Sequence, residues 1–181
     1  MSFRPSFGDL PLKTLHLLRH AKADRGTDAR DHERPLAKRG VEGARAMAEH
    51  LKAENFTVDA VFSSTSKRTR ETYDLIKGAL GGAPVQFREE LYLMDADGLL
   101  SFVHQLPRDV RRVLMLGHDP GYHELANQLV DPACGSDELS VLAEKFPAGA
   151  LCSLGFAGTT WTDVMPGAGD LLAFVRPKDI D

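Results

Sequence analysis

Two histidines and two arginines stand near the ends of predicted strands in this chain. Arg19 and His20 directly follow one apolar run, His118 follows another, and Arg68 comes a few residues after a third. The carboxyl ends of parallel strands meet at one edge of a sheet, where α/β proteins bind their ligands. We therefore expect these four side chains to share a pocket.

This combination of side chains suits a dianionic phosphate group. Guanidinium groups bind phosphate oxygens through paired hydrogen bonds and stay charged at any relevant pH. A neutral imidazole has one free lone pair, which can attack phosphorus and form a covalent intermediate. Positive charge around the phosphoryl oxygens stabilises the transition state. None of these steps requires a metal ion or a cofactor, and we predict neither.

The elements that position these residues alternate between strands and helices. We predict one α/β domain with a mostly parallel sheet covered by helices on both faces, preceded by a loose N-terminal lead over residues 1–13. The stretch 131–150 is the least regular, and we predict an insertion there. Apolar patterns predict strands over 14–18, 58–62, 85–87, 113–116, 151–156 and 171–175, and helices over 41–51, 68–80, 99–106, 122–130 and 137–145.

Composition narrows the range of partners. The 181 residues carry a net charge of −4, and 43% of them are hydrophobic, which suits one globular domain. The acidic balance argues against binding to nucleic acid or to an anionic membrane surface. We find no signal-peptide pattern and no apolar run of membrane-spanning length, so we expect a cytoplasmic protein.

Cys134 and Cys152 form no CxxC pair, and their spacing leaves a disulfide open beside the simpler prediction of two free thiols.

The run LLRHAK, residues 17–22, resembles the Arg-His signature of the histidine phosphatase superfamily. The usual signature continues with glycine, and Ala21 in that place looks like the short phosphohistidine phosphatase (SixA-like) branch. The resemblance covers about residues 14–176 and implies a phosphoglycerate mutase-like, three-layer α/β/α sandwich whose mixed sheet has one antiparallel strand. The further matching segments are, in order, Arg34-Pro35-Leu36 with Arg39-Gly40, Ser63-Ser64 through Arg68 to Glu71-Thr72, Glu90-Leu91-Tyr92, residues 117–121 (GHDPG) and residues 146–150 (FPAGA).

The resemblance also implies roles for single residues. His20 would be the phosphorylated nucleophile, Arg19 and Arg68 would bind the phosphoryl oxygens, and His118 would donate to the same oxygens. The spacing to Glu71-Thr72 selects Arg68 rather than Arg70, which we expect on the surface.

Several roles stay open. Arg34 either pairs with Asp31 and braces the loop after the first strand, which we favour, or touches the substrate. Lys22 either extends the positive field of the pocket or is simply solvated. An alkyl leaving group needs a proton donor, for which Asp119 is slightly favoured over Glu90. Phosphohistidine would need such a donor less, because its P–N bond breaks readily once the imidazole is protonated.

The leading hypothesis is therefore a phosphatase that acts on phosphohistidine in a protein, such as a histidine-containing phosphotransfer domain. Connections typically well under ~15 residues favour a shallow, uncapped pocket that admits a protein side chain. The alternatives are a phosphatase for small phosphorylated metabolites, a weakly catalytic member that binds phosphate or a phosphoprotein, and a mutase. An HD-type metal phosphohydrolase is suggested only by His118-Asp119, which here follows a strand rather than lying on a helix.

Overall fold

The structure is a computed structural model that describes residues 13–26 and 28–180. The predicted N-terminal lead lies outside the described residues except for Lys13, which is buried and begins the first strand. Short 3₁₀ turns, among them Asp31–Glu33 and Pro177–Asp179, lie in the connections. The strands are β1 (Lys13–Arg19), β2 (Ala60–Ser64), β3 (Val85–Arg88), β4 (Arg112–Gly117), β5 (Leu151–Phe156) and β6 (Asp170–Val175), and the helices are α1 (Lys38–Ala53), α2 (Lys67–Ile76), α3 (Ala96–His104), α4 (Gly121–Leu129) and α5 (Asp137–Glu144).

The strands form one mixed sheet in the order β3-β2-β4-β1-β5-β6. Strands β3, β2, β4 and β1 run parallel to one another, whereas β5 runs antiparallel to both β1 and β6. The expectation of a mostly parallel sheet with one antiparallel strand is confirmed. Because β1, β2 and β4 run in the same direction, their polar carboxyl ends meet at one edge, where Arg19 lies opposite Gly117.

Alternation along the strands gives the sheet two apolar faces, and each face is covered by helices. Leu15 and Leu17 of β1 point into a core that α3, α4 and α5 complete. Leu18 of β1 and Leu114 of β4 point into a second core, which α1 and α2 complete. The three-layer α/β/α sandwich is confirmed, and the two cores fix the helices around the sheet edge that carries the polar residues.

The structure differs from the predicted elements mainly at their ends. β2 runs two residues further than expected, because Ser63 and Ser64 stay paired with neighbouring strands although they are polar. The predicted helix over 68–80 ends its α-helical part at Ile76 and continues as a 3₁₀ turn before Gly81, which has a positive φ.

Both cysteines are free thiols. Among the described helices, none combines the length and the apolar character needed to cross a bilayer.

A close backbone contact fixes the start of α1 against the loop that follows β1. The Ala37 amide donates to the Lys22 carbonyl at 2.9 Å. A Cβ atom on Gly40 would lie 2.0 Å from the same carbonyl oxygen, a distance that no side chain tolerates. Glycine at position 40 therefore allows the first turn of α1 to pack directly on the segment that carries His20.

We predict that Gly40→Ala lowers the free energy of unfolding by ~1–3 kcal/mol, because the added methyl group would overpack a backbone contact. Gly78→Ala is the matched control, since a Cβ atom there meets nothing within 4 Å. Urea denaturation of the two variants and the wild type measures the difference. Equal stability of the two variants would contradict the prediction.

Candidate active site

The four predicted side chains converge at the carboxyl edge of the sheet. The His20 and His118 rings have their centroids 5.2 Å apart. Arg68 Nε lies 3.2 Å from His20 Nε2, and Arg68 Nη2 lies 3.4 Å from His118 Nδ1. Together with Arg19 these residues line a cavity of about 730 Å³. The juxtaposition expected from the strand ends is thus present in the folded chain.

Hydrogen bonds fix the tautomer of His20. Its Nδ1 lies 2.7 Å from the Ala21 carbonyl, which only accepts, so Nδ1 carries the hydrogen and Nε2 has the free lone pair. The Ala21 amide in turn donates to Thr72 Oγ1 at 3.0 Å, and Thr72 Oγ1 donates to the Arg68 carbonyl. These bonds tie the nucleophile candidate to the same helix, α2, that supplies Arg68.

Ser64, which belongs to a matching segment of the sequence but was assigned no role there, orients His118. His118 Nε2 lies 2.8 Å from Ser64 Oγ at the end of β2. Its Nδ1 faces Arg68, which can only donate, so Nδ1 accepts and Nε2–H donates to the serine. The ring of Tyr92 packs edge-on against His118, with centroids 5.3 Å apart.

Both imidazoles are neutral at physiological pH. Burial lowers the pKa of His20 to about 4, helped by the nearby guanidinium of Arg68 and opposed by the bond to the Ala21 carbonyl. Burial, followed by His20 and Arg68, lowers the pKa of His118 to about 3. A neutral His20 keeps the Nε2 lone pair that nucleophilic attack requires.

Asp31 holds the buried guanidinium of Arg68 in place. Its Oδ2 accepts from Arg68 Nη2 at 3.0 Å, and its backbone carbonyl accepts from Arg68 Nη1. Its Oδ1 pairs with Arg34 Nη2 at 3.0 Å, which confirms the expected Asp31–Arg34 pair. The Tyr92 hydroxyl also donates to Asp31, and these donors keep the pKa of the carboxyl below its usual value. The contacts of Asp31 with Arg68 and Tyr92 were not predicted from the sequence.

Arg19 is held at the cavity wall by groups from two loops. Its Nη1 donates to the Phe146 carbonyl at 2.6 Å and lies 3.6 Å from Asp119 Oδ2. Arg19 Nε and Asp119 Oδ1 are buried and have no hydrogen-bond partner in the described part of the chain.

The other predicted site residues divide between the cavity and the surface. Asp119, Arg34 and Lys22 line the cavity. Glu90 does not line it, and its carboxylate instead pairs with Arg88 Nε at 2.7 Å. Arg70 is exposed, as expected.

The connections between elements are mostly as short as expected, with one exception. Residues 20–37, which connect β1 to α1, are longer than the typical ~15 residues. This loop and residues 145–148 wall the cavity, while the exposed side chains of Leu93 and Lys178 stand at its rim.

Within residues 13–26 and 28–180, no group of three or more His, Cys, Asp or Glu side chains is arranged to hold a metal ion.

Comparison with known proteins yields one family model, one relative and two solved structures. The family model described as Histidine phosphatase superfamily (branch 1) matches residues 15–99. The uncharacterized protein Rv1276c of Mycobacterium tuberculosis is 34% identical over 163 residues, which are 89% of this chain and 100% of that protein. The SixA structure from Nakamurella multipartitia matches with a TM-score of 0.78 and 34% identity, covering 91% of this chain and 96% of that one. The protein histidine phosphatase SixA complexed with tungstate shares the fold, with a TM-score of 0.74, 22% identity and coverage of 93% and 99%.

The neutral histidines predict a pH dependence of stability. As pH falls from 6.5 toward 4, His20 binds a proton in the unfolded chain but stays largely neutral in the folded chain. The free energy of unfolding therefore falls. We predict that His20→Asn makes this fall shallower by up to about 1.4 kcal/mol per pH unit. Urea denaturation between pH 4.5 and 8 measures the slopes.

Above pH 7 the curves of wild type and His20→Asn should run parallel, which serves as the internal control. Equal slopes between pH 4.5 and 6.5 would show that His20 titrates alike in the folded and unfolded chain.

Proposed function

This chain belongs to the histidine phosphatase superfamily, in its SixA-like branch, and from that premise we propose that it hydrolyses phosphohistidine on a partner protein through a phosphoryl intermediate on His20. Family membership supports phosphatase activity, and the intermediate, the metal independence and the substrate are our proposal. The observation that carries it is the neutral His20, whose free Nε2 faces the guanidinium of Arg68 inside the cavity.

The contacts around His20 suggest how the first step proceeds. The phosphoryl oxygens displace Nε2 as the acceptor for Arg68 Nε and receive hydrogen bonds from Arg68 and Arg19. Nε2 then attacks phosphorus, and the bond from phosphorus to the leaving nitrogen breaks with its electron pair staying on that nitrogen. The substrate ring, already protonated on its other nitrogen, thus leaves as neutral imidazole. The phosphorylated ring of His20 becomes cationic, and the Nδ1–H bond to the Ala21 carbonyl strengthens as that charge develops. Water then attacks phosphorus, and inorganic phosphate leaves while Nε2 regains its lone pair.

Two observations favour phosphohistidine as the substrate. The cavity contains one carboxylate near the reacting edge, Asp119, besides Asp31, which is fully engaged by Arg68, Arg34 and Tyr92. A leaving imidazole needs less help from a dedicated acid than an alkoxide does, so this sparse supply of acids fits a P–N bond. The 34% identical relative from Nakamurella multipartitia also carries the SixA name.

A phosphatase for small phosphomonoesters is the second candidate, and Asp119 favours it. This carboxylate lines the cavity, and its Oδ2 lies 3.6 Å from Arg19 Nη1. Protonated, it would be placed to donate to a leaving oxygen. A weakly catalytic phosphate-binding member would share the same geometry but would not turn over.

We predict that the wild type, mixed rapidly with a phosphorylated histidine-containing carrier domain, traps acid-labile phosphate on the protein and releases inorganic phosphate. His20→Ala should trap none and lose at least about 10³-fold in kcat/KM, because the covalent route is removed. His50→Ala, on α1 and outside the cavity lining, should behave like the wild type. Activity should persist in EDTA.

Three results of this experiment would count against the proposal. Trapping and turnover by His20→Ala equal to those of the wild type would refute the His20 intermediate. Trapping without turnover would favour the binding member. A clearly higher kcat/KM for small phosphomonoesters than for the carrier domain would favour the second candidate.

The two candidate acids predict different substrate profiles. If Asp119 protonates oxygen leaving groups, Asp119→Asn should lower kcat/KM for an alkyl phosphate by about 10²–10⁴-fold and should change hydrolysis of phosphohistidine much less. Glu90→Gln should leave both reactions unchanged, because Glu90 lies outside the cavity lining. Steady-state kinetics with both substrates distinguishes the cases, and an alkyl-selective loss in Glu90→Gln would reverse the assignment.

A further inference from the structure

The cavity is far more basic than the chain as a whole. Nine lysine and arginine side chains line it beside two carboxylates, although the net charge of the chain is −4. The inner cations Arg19, Arg34 and Arg68 already contact Phe146, Asp119 or Asp31 and lie around the two histidines. One phosphoryl group needs no more than these. Six further cations line the cavity, and the proposed hydrolysis does not use them.

We define the outer basic wall as Lys22, Arg39 and Lys178. In the described part of the chain, no carboxylate lies within salt-bridge distance of any of the three. Lysines elsewhere on the surface do pair locally, as Lys52 with Glu49 and Lys77 with Asp74. The outer basic wall is therefore a group of unpaired cations that face one cavity.

Three distant segments are held together to build this wall. Gly40 allows the first turn of α1 to rest on the Lys22 carbonyl. Pro177 packs over Gly43 of α1, where an added Cβ would lie 3.6 Å from the proline, and over Gly149, where it would lie 2.8 Å away. The wall is thus a product of close backbone packing rather than a chance meeting of long side chains.

The position of Arg39 does not serve the stability of α1. Arg39 lies in the first turn, where the helix dipole favours negative charge, and that turn contains no acidic residue. The N-cap residue, Ala37, makes no side-chain hydrogen bond to the helix. A cation in this place opposes the local preference, and such departures are expected at residues that bind something.

We propose that the outer basic wall binds a second anionic group, which the substrate carries beside the phosphoryl group removed at His20. This inference rests on the proposed function and narrows its substrate class. In a phosphoprotein the second group is a carboxylate next to the phosphohistidine, and in a metabolite it is a second phosphate or a carboxylate. In both cases the wall attracts the anion and orients the scissile phosphoryl group toward His20.

Two pairs of substrates test the proposal. The first pair is a phosphohistidine peptide flanked by glutamates and the same peptide flanked by glutamines, and the second is an alkyl bisphosphate and its monophosphate. For Lys22→Ala/Arg39→Ala, we expect KM to rise about tenfold or more for the substrates with the extra anion, with kcat little changed. KM should stay within about twofold for their partners.

Arg45→Ala is the matched control, because Arg45 is an exposed arginine of the same helix outside the cavity lining. It should leave all four KM values unchanged. An effect confined to the peptide pair identifies a protein source for the anion, and one confined to the bisphosphate pair identifies a metabolite. Equal losses on both members of each pair, or no loss on any, would overturn the proposal.

A binding measurement keeps this inference separable from the proposed function. Titration calorimetry with inorganic pyrophosphate and with inorganic phosphate gives a ratio of Kd values that requires no turnover. The double variant should weaken pyrophosphate binding about tenfold and phosphate binding by less than about threefold. If His20 traps no phosphoryl group but this ratio shifts, the proposed hydrolysis fails and the anion site stands. An unchanged ratio removes the anion site.

Discussion

The buried guanidinium of Arg68 is the interaction on which the arrangement of the site depends. A cation that is 2% exposed must have its donors satisfied, or it would destabilise the fold severely. Its partners are the two histidines and both the carboxylate and the carbonyl of Asp31. His20 directly follows β1, His118 directly follows β4, and Asp31 lies further along the loop after β1. Satisfying one side chain therefore draws distant parts of the chain to one point.

This requirement explains why the loop over residues 20–37 is long and ordered by polar contacts. The loop must carry Asp31 back over α2 to reach Arg68. The end of the loop is fixed by a hydrogen bond of 2.6 Å from the Leu36 amide to the Glu71 carboxylate on α2. An isolated β-bridge between Ala23 and Leu36 ties it to the start of the loop. Ala21 packs against Leu36 and Ala44, which places the loop on α1 as well. The unusual length of this one connection is therefore what the buried arginine requires.

The sequence predicted the parts of the site that strand ends determine. His20 and His118 follow buried strands, and parallel strands must place their carboxyl ends together. The contacts of Asp31 with Arg68 and Tyr92 could not be predicted, because they depend on the path of an irregular loop and not on periodicity. The position of Arg39 in the cavity was equally hidden, since an arginine near the start of a helix has the same pattern whether it faces solvent or a ligand. Helix and strand ends shifted by a few residues where polar side chains such as Ser64 continued a strand.

The charges of the cavity also explain how one set of groups serves both halves of the proposed reaction. Before substrate binds, burial and the surrounding guanidiniums disfavour a charged imidazole, so His20 keeps its nucleophilic lone pair. A phosphoryl dianion neutralises part of that positive field, and an opposite charge within a few ångströms favours the cationic form of a histidine. The same cavity that disfavours imidazolium when empty thus favours it once the phosphoryl group is bound, which is the form of His20 that the transfer creates. The hydrogen bond from His20 Nδ1 to the Ala21 carbonyl favours the cationic ring throughout this cycle. It already raises the pKa of His20, and it holds the hydrogen that the cationic ring retains.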